Sequence, residues 1–492
     1  MNKTAVIFFT LSKYYLKSFA KVLKNILFTK ILAKKFKKLY LCIHISKNMD
    51  MRTPICYMRK YFAGSISILL AALVCPLNTN AEECQHKEYR MRVEVSNSLP
   101  QDLCDVPVVI SLREQPEVSC AIVEGSQAEA IPCQLDDLDK DGRNDELCFL
   151  VNVPAQSATT VNVTLYNIIR CKSCREKQQL NFPDRTYAEM VLRNPKVKEK
   201  NRHDIYLTEL TADSRAGDTY TVQHHHGVAF ENELIALRIY FDKRQTLDLY
   251  GKFHQGLELK ETQFYTSEEQ KNAGYGDDVL WVGNSFGLGA LRGWDGEKPT
   301  MVEHIDTRTQ RILCQGTVRT IVEVEDRGWR QTQQDGSASD YPLNMTVRYT
   351  LYAGHRDIEV EARFNKPADK ELFSTGIINV KGSEELTDHE GLRGCWGTDW
   401  PASDTLNWKR ETVGLGIYVP DECRSCELEA DKQNYGFIVK TDGRSNTLHY
   451  HLAYTSANED FGLKNREAWF QWLREWKRRL QSPVRVKIVS VD

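Results

Sequence analysis

The chain has 492 residues, 41% of them hydrophobic and 27% charged, with a formal net charge of −2. That length supports a large core and one to three domains, and the balanced charge leaves no basic footprint for nucleic acid. The charge is uneven, because residues 1–60 hold fourteen Lys and Arg against a single acid, Asp50.

Inside this basic block, "MRKYFAGSISILLAALVCPLNTNAEEC" starts at Met58 and carries a basic n-region at Arg59 and Lys60. An apolar run from Ile66 to Val74 follows, then a small residue, Ala81, at the cleavage point. The pattern reads as a secretory signal peptide over 58–81, with 1–57 an over-extended start outside the fold. A basic amphipathic membrane anchor is the alternative. The mature protein is expected to begin near Glu82 and to be exported, periplasmic or extracellular, without stable membrane insertion. Eleven of the 14 cysteines follow that cut, an odd number, so at least one stays unpaired. Five lie between Cys84 and Cys148, where an oxidising compartment permits disulfides. The pairs Cys171/Cys174 and Cys423/Cys426 read as local disulfides, or together as a zinc site.

Residues 82–171 read as an N-terminal β module, with strands in "RMRVEVSN", "VPVVISL", "ELCFLVNV" and "TVNVTLY". Within it, "DDLDKDGRNDEL" alternates Asp137, Asp139 and Asp141, turns at Gly142 and continues to Asp145. Such spacing fits an oxygen cage for a structural calcium ion, though Cys148 stands where an EF-hand would place its glutamate. An acidic turn is the other reading. Residues 172–213 are charged and strand-poor, a linker-like segment, and 214–492 form the main β-sandwich with a C-terminal helix.

The main body opens on "HHHGVAFENELIALRIYFDKRQTLDLYGK". No metal spacing such as HExxH is present, so His226, Glu231 and Glu233 are read as acid/base candidates. Counted along one strand, Glu231 and Glu233 face away from Arg238 and Tyr240, and only a bulge or other strands would bring them together. Asp248, Tyr250 and Lys252 share a face that suits either a ligand or solvent. The stretch "GYGDDVLWVGNSFGLGALRGWDG" lacks dinucleotide spacing. Its Trp281, Arg292, Trp294 and Asp295 suit a sugar-binding loop or a glycine-rich sheet corner. His304, His449 and His451 are further acid/base candidates from other strands.

Period-two runs in "TVRTIVEVE", "LNMTVRYTLY" and "DIEVEARF" predict antiparallel sheets with one buried face each, and no βαβ alternation appears. "NREAWFQWLREWKRRL" places Trp469, Trp472, Leu473, Trp476 and Leu480 at helical spacing. The fold class is therefore mostly β.

The blocks "QLDDLDKDGRNDELCFLVNVPA", "HHHGVAFENELIALRIYFDKRQTLDLYGK", "DVLWVGNSFGLGALRGWDG" and "QGTVRTIVEVE" resemble an uncharacterised family of exported bacterial proteins, domain of unknown function 4861. The resemblance runs from about Glu88 to the C-terminus. It implies a role in the glycan-utilisation systems of gut and marine Bacteroidetes and a galactose-mutarotase-like β-supersandwich that binds sugar across a concave sheet. Such enzymes commonly move protons with a histidine and a carboxylate, which ranks His226, Glu231 and Glu233 first, with Arg238 and Arg292 for a uronate carboxylate. The expected function is action on acidic, uronate-containing glycans, with a polysaccharide lyase leading and a glycoside hydrolase next. A non-catalytic glycan-binding protein and a sugar mutarotase or epimerase are the alternatives. No organic cofactor is expected.

Overall fold

A computed structural model describes residues 88–491, apart from 116, 168–181, 195–196, 198, 217–218, 403 and 407. The expectations about the start, the signal peptide, Cys84 and the Cys171/Cys174 pair lie outside the described residues. Seven strands build the N-terminal module: β1 (Glu88–Ser96), β2 (Leu103–Ser111), β3 (Cys120–Glu124), β4 (Ala130–Ile131), β5 (Cys133–Asp136), β6 (Glu146–Val153) and β7 (Ala158–Tyr166). Alternation decides their faces. In β1, Met91, Val93 and Val95 point inward while Arg90, Arg92 and Glu94 face water. The inward residues meet Val108, Phe149, Val161 and Val163 in one core.

The main body follows with β8 (Thr186–Leu192), β9 (Ile205–Leu207), β10 (Glu209–Asp213), β11 (Gly227–Asn232), β12 (Ala236–Tyr240) and β13 (Leu247–Gly251). A short helix α1 (Glu268–Asn272) precedes β14 (Asp277–Asp278), β15 (Arg292–Trp294), β16 (Pro299–Thr300), β17 (Thr307–Cys314) and β18 (Arg319–Trp329). Then come β19 (Leu343–Tyr352), β20 (Asp357–Phe364), β21 (Phe373–Ile378), β22 (Glu384–Thr387), β23 (Leu392–Asp399) and β24 (Glu411–Tyr418). The chain ends with β25 (Arg424–Glu427), β26 (Asn434–Val439), β27 (Thr447–Ser456), helix α2 (Arg466–Gln481) and β28 (Arg485–Val491).

A nine-stranded sheet, ordered β10-β17-β18-β19-β20-β27-β24-β23-β22, makes one layer. Two smaller sheets, β14-β13-β12-β11-β8-β9 and β16-β15-β21-β26-β25, make the other. Phe230, Leu237 and Leu249 from the six-stranded sheet and Phe373 and Phe437 from the five-stranded sheet meet Val324, Val347 and Val360 in a shared core. The architecture is mostly β with antiparallel sheets, as the period-two runs predict.

Two differences from the sequence reading have clear causes. Residues 172–213 are no plain linker, since β8, β9 and β10 all lie within them. Strand β8 is covered on both faces, so it buries Glu189 as well as Met190 and leaves no alternation to read. And β28 leaves the main body to pair with β1, so the C-terminal end completes the N-terminal sheet. Helix α2 forms as its spacing predicts, with Asn465 Oδ1 accepting from the Ala468 N–H at 2.9 Å. It buries Trp469, Leu473 and Trp476 against β23 and β24, where Gly394, Gly414 and Gly416 leave the room: a Cβ on Gly416 would lie 2.3 Å from Leu473.

The turn between β19 and β20 locks the two parts together. His355 Nδ1 lies 3.1 Å from the Asp357 carboxylate and Nε2 lies 2.8 Å from the Asp105 carbonyl. Both partners only accept, so both ring nitrogens carry protons and the ring is an imidazolium. Burial opposes that charge, but Asp357 outweighs it and raises the ring from 6.5 to about 9. Asp357 also accepts from the Trp476 indole N–H of α2 at 3.0 Å. A raised histidine contributes fully below its unfolded value and loses the contribution as pH climbs through its folded value, about 3 kcal/mol for this shift. Urea melts from about pH 6 to about pH 10 should show that decline in the native chain, and His355→Gln should flatten it. An equally steep decline in the variant would remove His355 from this role.

Candidate functional site

One face of the six-stranded sheet packs on the core; the other carries Glu231, Arg238, Tyr240, Asp248, Tyr250 and Lys252. The single-strand parity count across Glu231 to Tyr240 fails because the chain reverses between β11 and β12. Their register, Glu231 opposite Ala236 and Ala229 opposite Arg238, puts both charged residues on this one face. The face is not open to ligand as expected. The segment 253–276 folds across it and packs Leu259 and Phe264 on Ala229, Ala236 and Tyr250.

Glu231 and Lys252 hold that cover in place. Lys252 Nζ donates to Glu231 at 2.6 Å, to the Asn232 carbonyl at 2.7 Å and to the Gly256 carbonyl. Glu231 accepts the backbone N–H groups of Glu258 at 2.9 Å and Leu259 at 2.7 Å. Both side chains are 0% exposed, so neither reaches a substrate. Tyr250 is likewise sealed, 2.7 Å from the Glu258 carboxylate. Arg238 is buried between Asp248 at 2.5 Å and Asp278 at 3.1 Å, with the Phe264 ring 4.0 Å from its guanidinium carbon. Its charge is already spent on two carboxylates, and Tyr240 donates to the same Asp248 at 2.6 Å. These residues form a floor, not a substrate clamp.

Above that floor lies a cleft of about 710 Å³, lined by Arg193, Lys200, His224, His226 and Tyr265 among others. His226 sits at φ 60°, a left-handed value uncommon outside glycine. The three consecutive histidines find three different partners. His224 Nε2 lies 2.9 Å from Asp204, and His225 Nε2 lies 2.5 Å from Glu189. Burial opposes ionisation of Glu189, but His225 and Lys200 outweigh it and hold the carboxyl below its ordinary value. His226 Nδ1 lies 3.0 Å from the Tyr220 carbonyl, and its ring stacks on Tyr220 at 4.0 Å. A carbonyl only accepts, so the Nδ1 position carries the proton and Nε2 keeps the lone pair. Burial, then the nearby Arg238, lowers this ring to about 4, so it is neutral at ordinary pH.

Tyr265 stands beside it, the ring centroids 6.3 Å apart. Its oxygen accepts from Arg238 at 3.0 Å, which leaves its own proton free to donate. Burial pushes the phenol up to about 12. Sequence reasoning missed Arg193, Lys200, Glu189, Asp204, Tyr220 and Tyr265. Buried histidines demand acceptors, and that demand was the available signal, hidden because two of the acceptors lie in the presumed linker.

The remaining candidates do not gather here. Glu233 pairs with Arg185, which also reaches Asp105 of the N-terminal module at 3.3 Å. His304 lines a separate recess of about 270 Å³ with Asp213, Lys243 and Arg308. Arg292 is buried and donates to the Asn284 and Ser285 carbonyls, so it holds a turn. Asp295 accepts from the N–H groups of Glu297 and Lys298, also a turn, and Trp294 is partly buried beside Gln331. Trp281 is exposed in another cavity. On β27, His451 is half-buried beside Tyr418 and His449 faces Glu361 at 3.8 Å. Cys423 and Cys426 are free thiols, with the Cys423 sulfur accepting from the His449 N–H at 3.3 Å, so no local disulfide joins them. Cys104, Cys133 and Cys148 are free as well.

In the acidic loop, carboxylate oxygens of Asp137, Asp139 and Asp145 lie within 4.8 Å of one another, while Asp141 stands outside the group and caps the Arg143 N–H at 2.8 Å. Asp137 Oδ2 accepts from Gly142 and Asp145 Oδ2 from Leu138, whereas Asp137 Oδ1 has no partner. Among the described residues no helix is long and apolar enough to cross a membrane.

Two solved structures from Enterococcus faecalis match the chain. A protein in glycosyl hydrolase family 38 does so with a TM-score of 0.40 and 9% identity, over 81% of this chain and 47% of its own. An alpha-mannosidase from strain V583 gives 0.40 and 10%, over 81% and 46%. The chain thus spans less than half the length of either. No curated protein matches the sequence. A family model covers residues 95–486, nearly the whole described fold, and the chain belongs to that family, Domain of unknown function (DUF4861).

Proposed function

We propose that this chain is an exported carbohydrate-active enzyme that cleaves uronate-containing glycans by β-elimination in the His226 cleft. The observation that carries the reading is the fixed tautomer of His226, a neutral imidazole with its lone pair on Nε2 in the cleft wall. His226 takes the proton on the carbon next to the uronate carboxylate. The freed electron pair forms the carbon–carbon double bond, the bond to the departing oxygen breaks, and that oxygen takes the Tyr265 proton. Arg193 supplies the positive charge that steadies the enolate, while Lys200, paired with Glu189 and the Leu259 carbonyl, holds the cleft wall.

Hydrolysis needs two carboxylic groups beside the bond. The buried Glu231 cannot serve, but Glu199, Glu261 and Glu269 line the cleft and support hydrolysis as the second reading. A panel of uronate oligosaccharides separates the possibilities. Ultraviolet absorbance from a new double bond, lost in His226→Ala and kept in Asp139→Ala, supports elimination. New reducing ends without absorbance support hydrolysis, a changed stereocentre without cleavage means epimerisation, and binding without turnover means a glycan-binding protein.

The acidic loop carries a separate proposal, a structural calcium ion held by Asp137, Asp139 and Asp145. Calcium at about 100 times its Kd should then add about 2.7 kcal/mol of stability. A melting temperature that rises with calcium in the native chain and not in Asp139→Ala is the expected result; equal curves with calcium and with chelator would leave an acidic turn.

A further inference from the structure

A second cavity, of about 430 Å³, opens where Val279–Trp281 and the turn at 378–382 meet the ends of β23 and β24. Trp281, 54% exposed, and Trp400 stand in its wall. Asp399 and Glu411 are direct register partners across β23 and β24, so their side chains rise side by side on one face. Both line the cavity, as do Lys381 and Lys432. The Glu411 carboxylate is steadied by the Asn458 amide, and burial raises it above its ordinary value.

An exposed tryptophan alone is ordinary. Here it shares a concave wall with a second indole and a pair of carboxylates, and that combination matches one ligand chemistry. Indole faces cover the C–H faces of a pyranose ring, and adjacent carboxylates accept from neighbouring hydroxyls. Two lysines balance two acids, so the wall favours neither a uronate nor an amino sugar. We propose that this cavity is a binding site for a neutral pyranose ring of an oligosaccharide, distinct from the His226 cleft.

Calorimetric titration of the full mature chain with cellohexaose, mannohexaose and xylohexaose tests it, with hexagalacturonate as the charged comparison. At least one neutral probe should bind and change the indole fluorescence. Trp281→Ala and Trp400→Ala should each weaken that probe by about tenfold, the worth of one aromatic contact, and Trp281→Phe should restore part of the loss. His226→Ala should leave this binding unchanged even if the elimination reading is wrong. No binding by any neutral probe, unchanged binding in both alanine variants, or equal binding of hexagalacturonate through the same tryptophans would overturn the assignment.

Discussion

Lys252→Met is expected to remove about 3–5 kcal/mol of folding stability, the usual cost of stranding one member of a buried ion pair. Such a loss is about a fifth or more of what a domain commonly has. The size follows from the surroundings. Lys252 and Glu231 are both fully buried, and three acceptors converge on the ammonium. Without it Glu231 keeps only the two backbone N–H groups of the covering segment. Adding Glu231→Gln to Lys252→Met should recover part of the deficit, giving a coupling above about 1 kcal/mol in a double-mutant cycle. Urea unfolding reads both numbers. A single-variant loss below about 1 kcal/mol would mean the segment is held by apolar contacts alone.

His226→Ala is expected to lower turnover on the responsive uronate substrate by about 10²–10⁴-fold, the range for losing a general base. The pH profile gives the sharper test. A base needs its lone pair, and this ring protonates only near 4, so kcat/KM should be level through neutral pH and fall tenfold per unit below about 4. That acid limb should vanish in His226→Ala. Tyr265→Phe should lower turnover while leaving the limb in place. An acid limb that survives in His226→Ala would assign the base to another group.

Strands with one wet face were legible. In β19 and β20 every second residue is apolar and buried, and Ile358, Val360, Ala362 and Phe364 sit where the alternation puts them. Helix α2 was legible for a similar reason, its tryptophans falling at helical spacing behind an asparagine cap. The strands that build the site were not. Both faces of β11, β12 and β13 are buried, so polar residues there mark internal ion pairs rather than exposure. In β18 the nominal outer face buries Arg319 against Asp136 and Glu146 of the N-terminal module, a partner that local periodicity cannot reveal. His226 was found because imidazole chemistry is visible in the residue itself. The acid proposed for it, Tyr265, and the cleft cations Arg193 and Lys200 come from loops whose positions depend on the folded whole.

The union of β1 with β28 has a consequence for biosynthesis. Residues 90–96 leave the ribosome well before 485–491, the neighbour that caps their free edge, is translated. Through that interval the edge is an open template for stray pairing, which makes a holding chaperone valuable. A frameshift after α2 would do its damage in the sheet that β1 opens, hundreds of residues away in sequence.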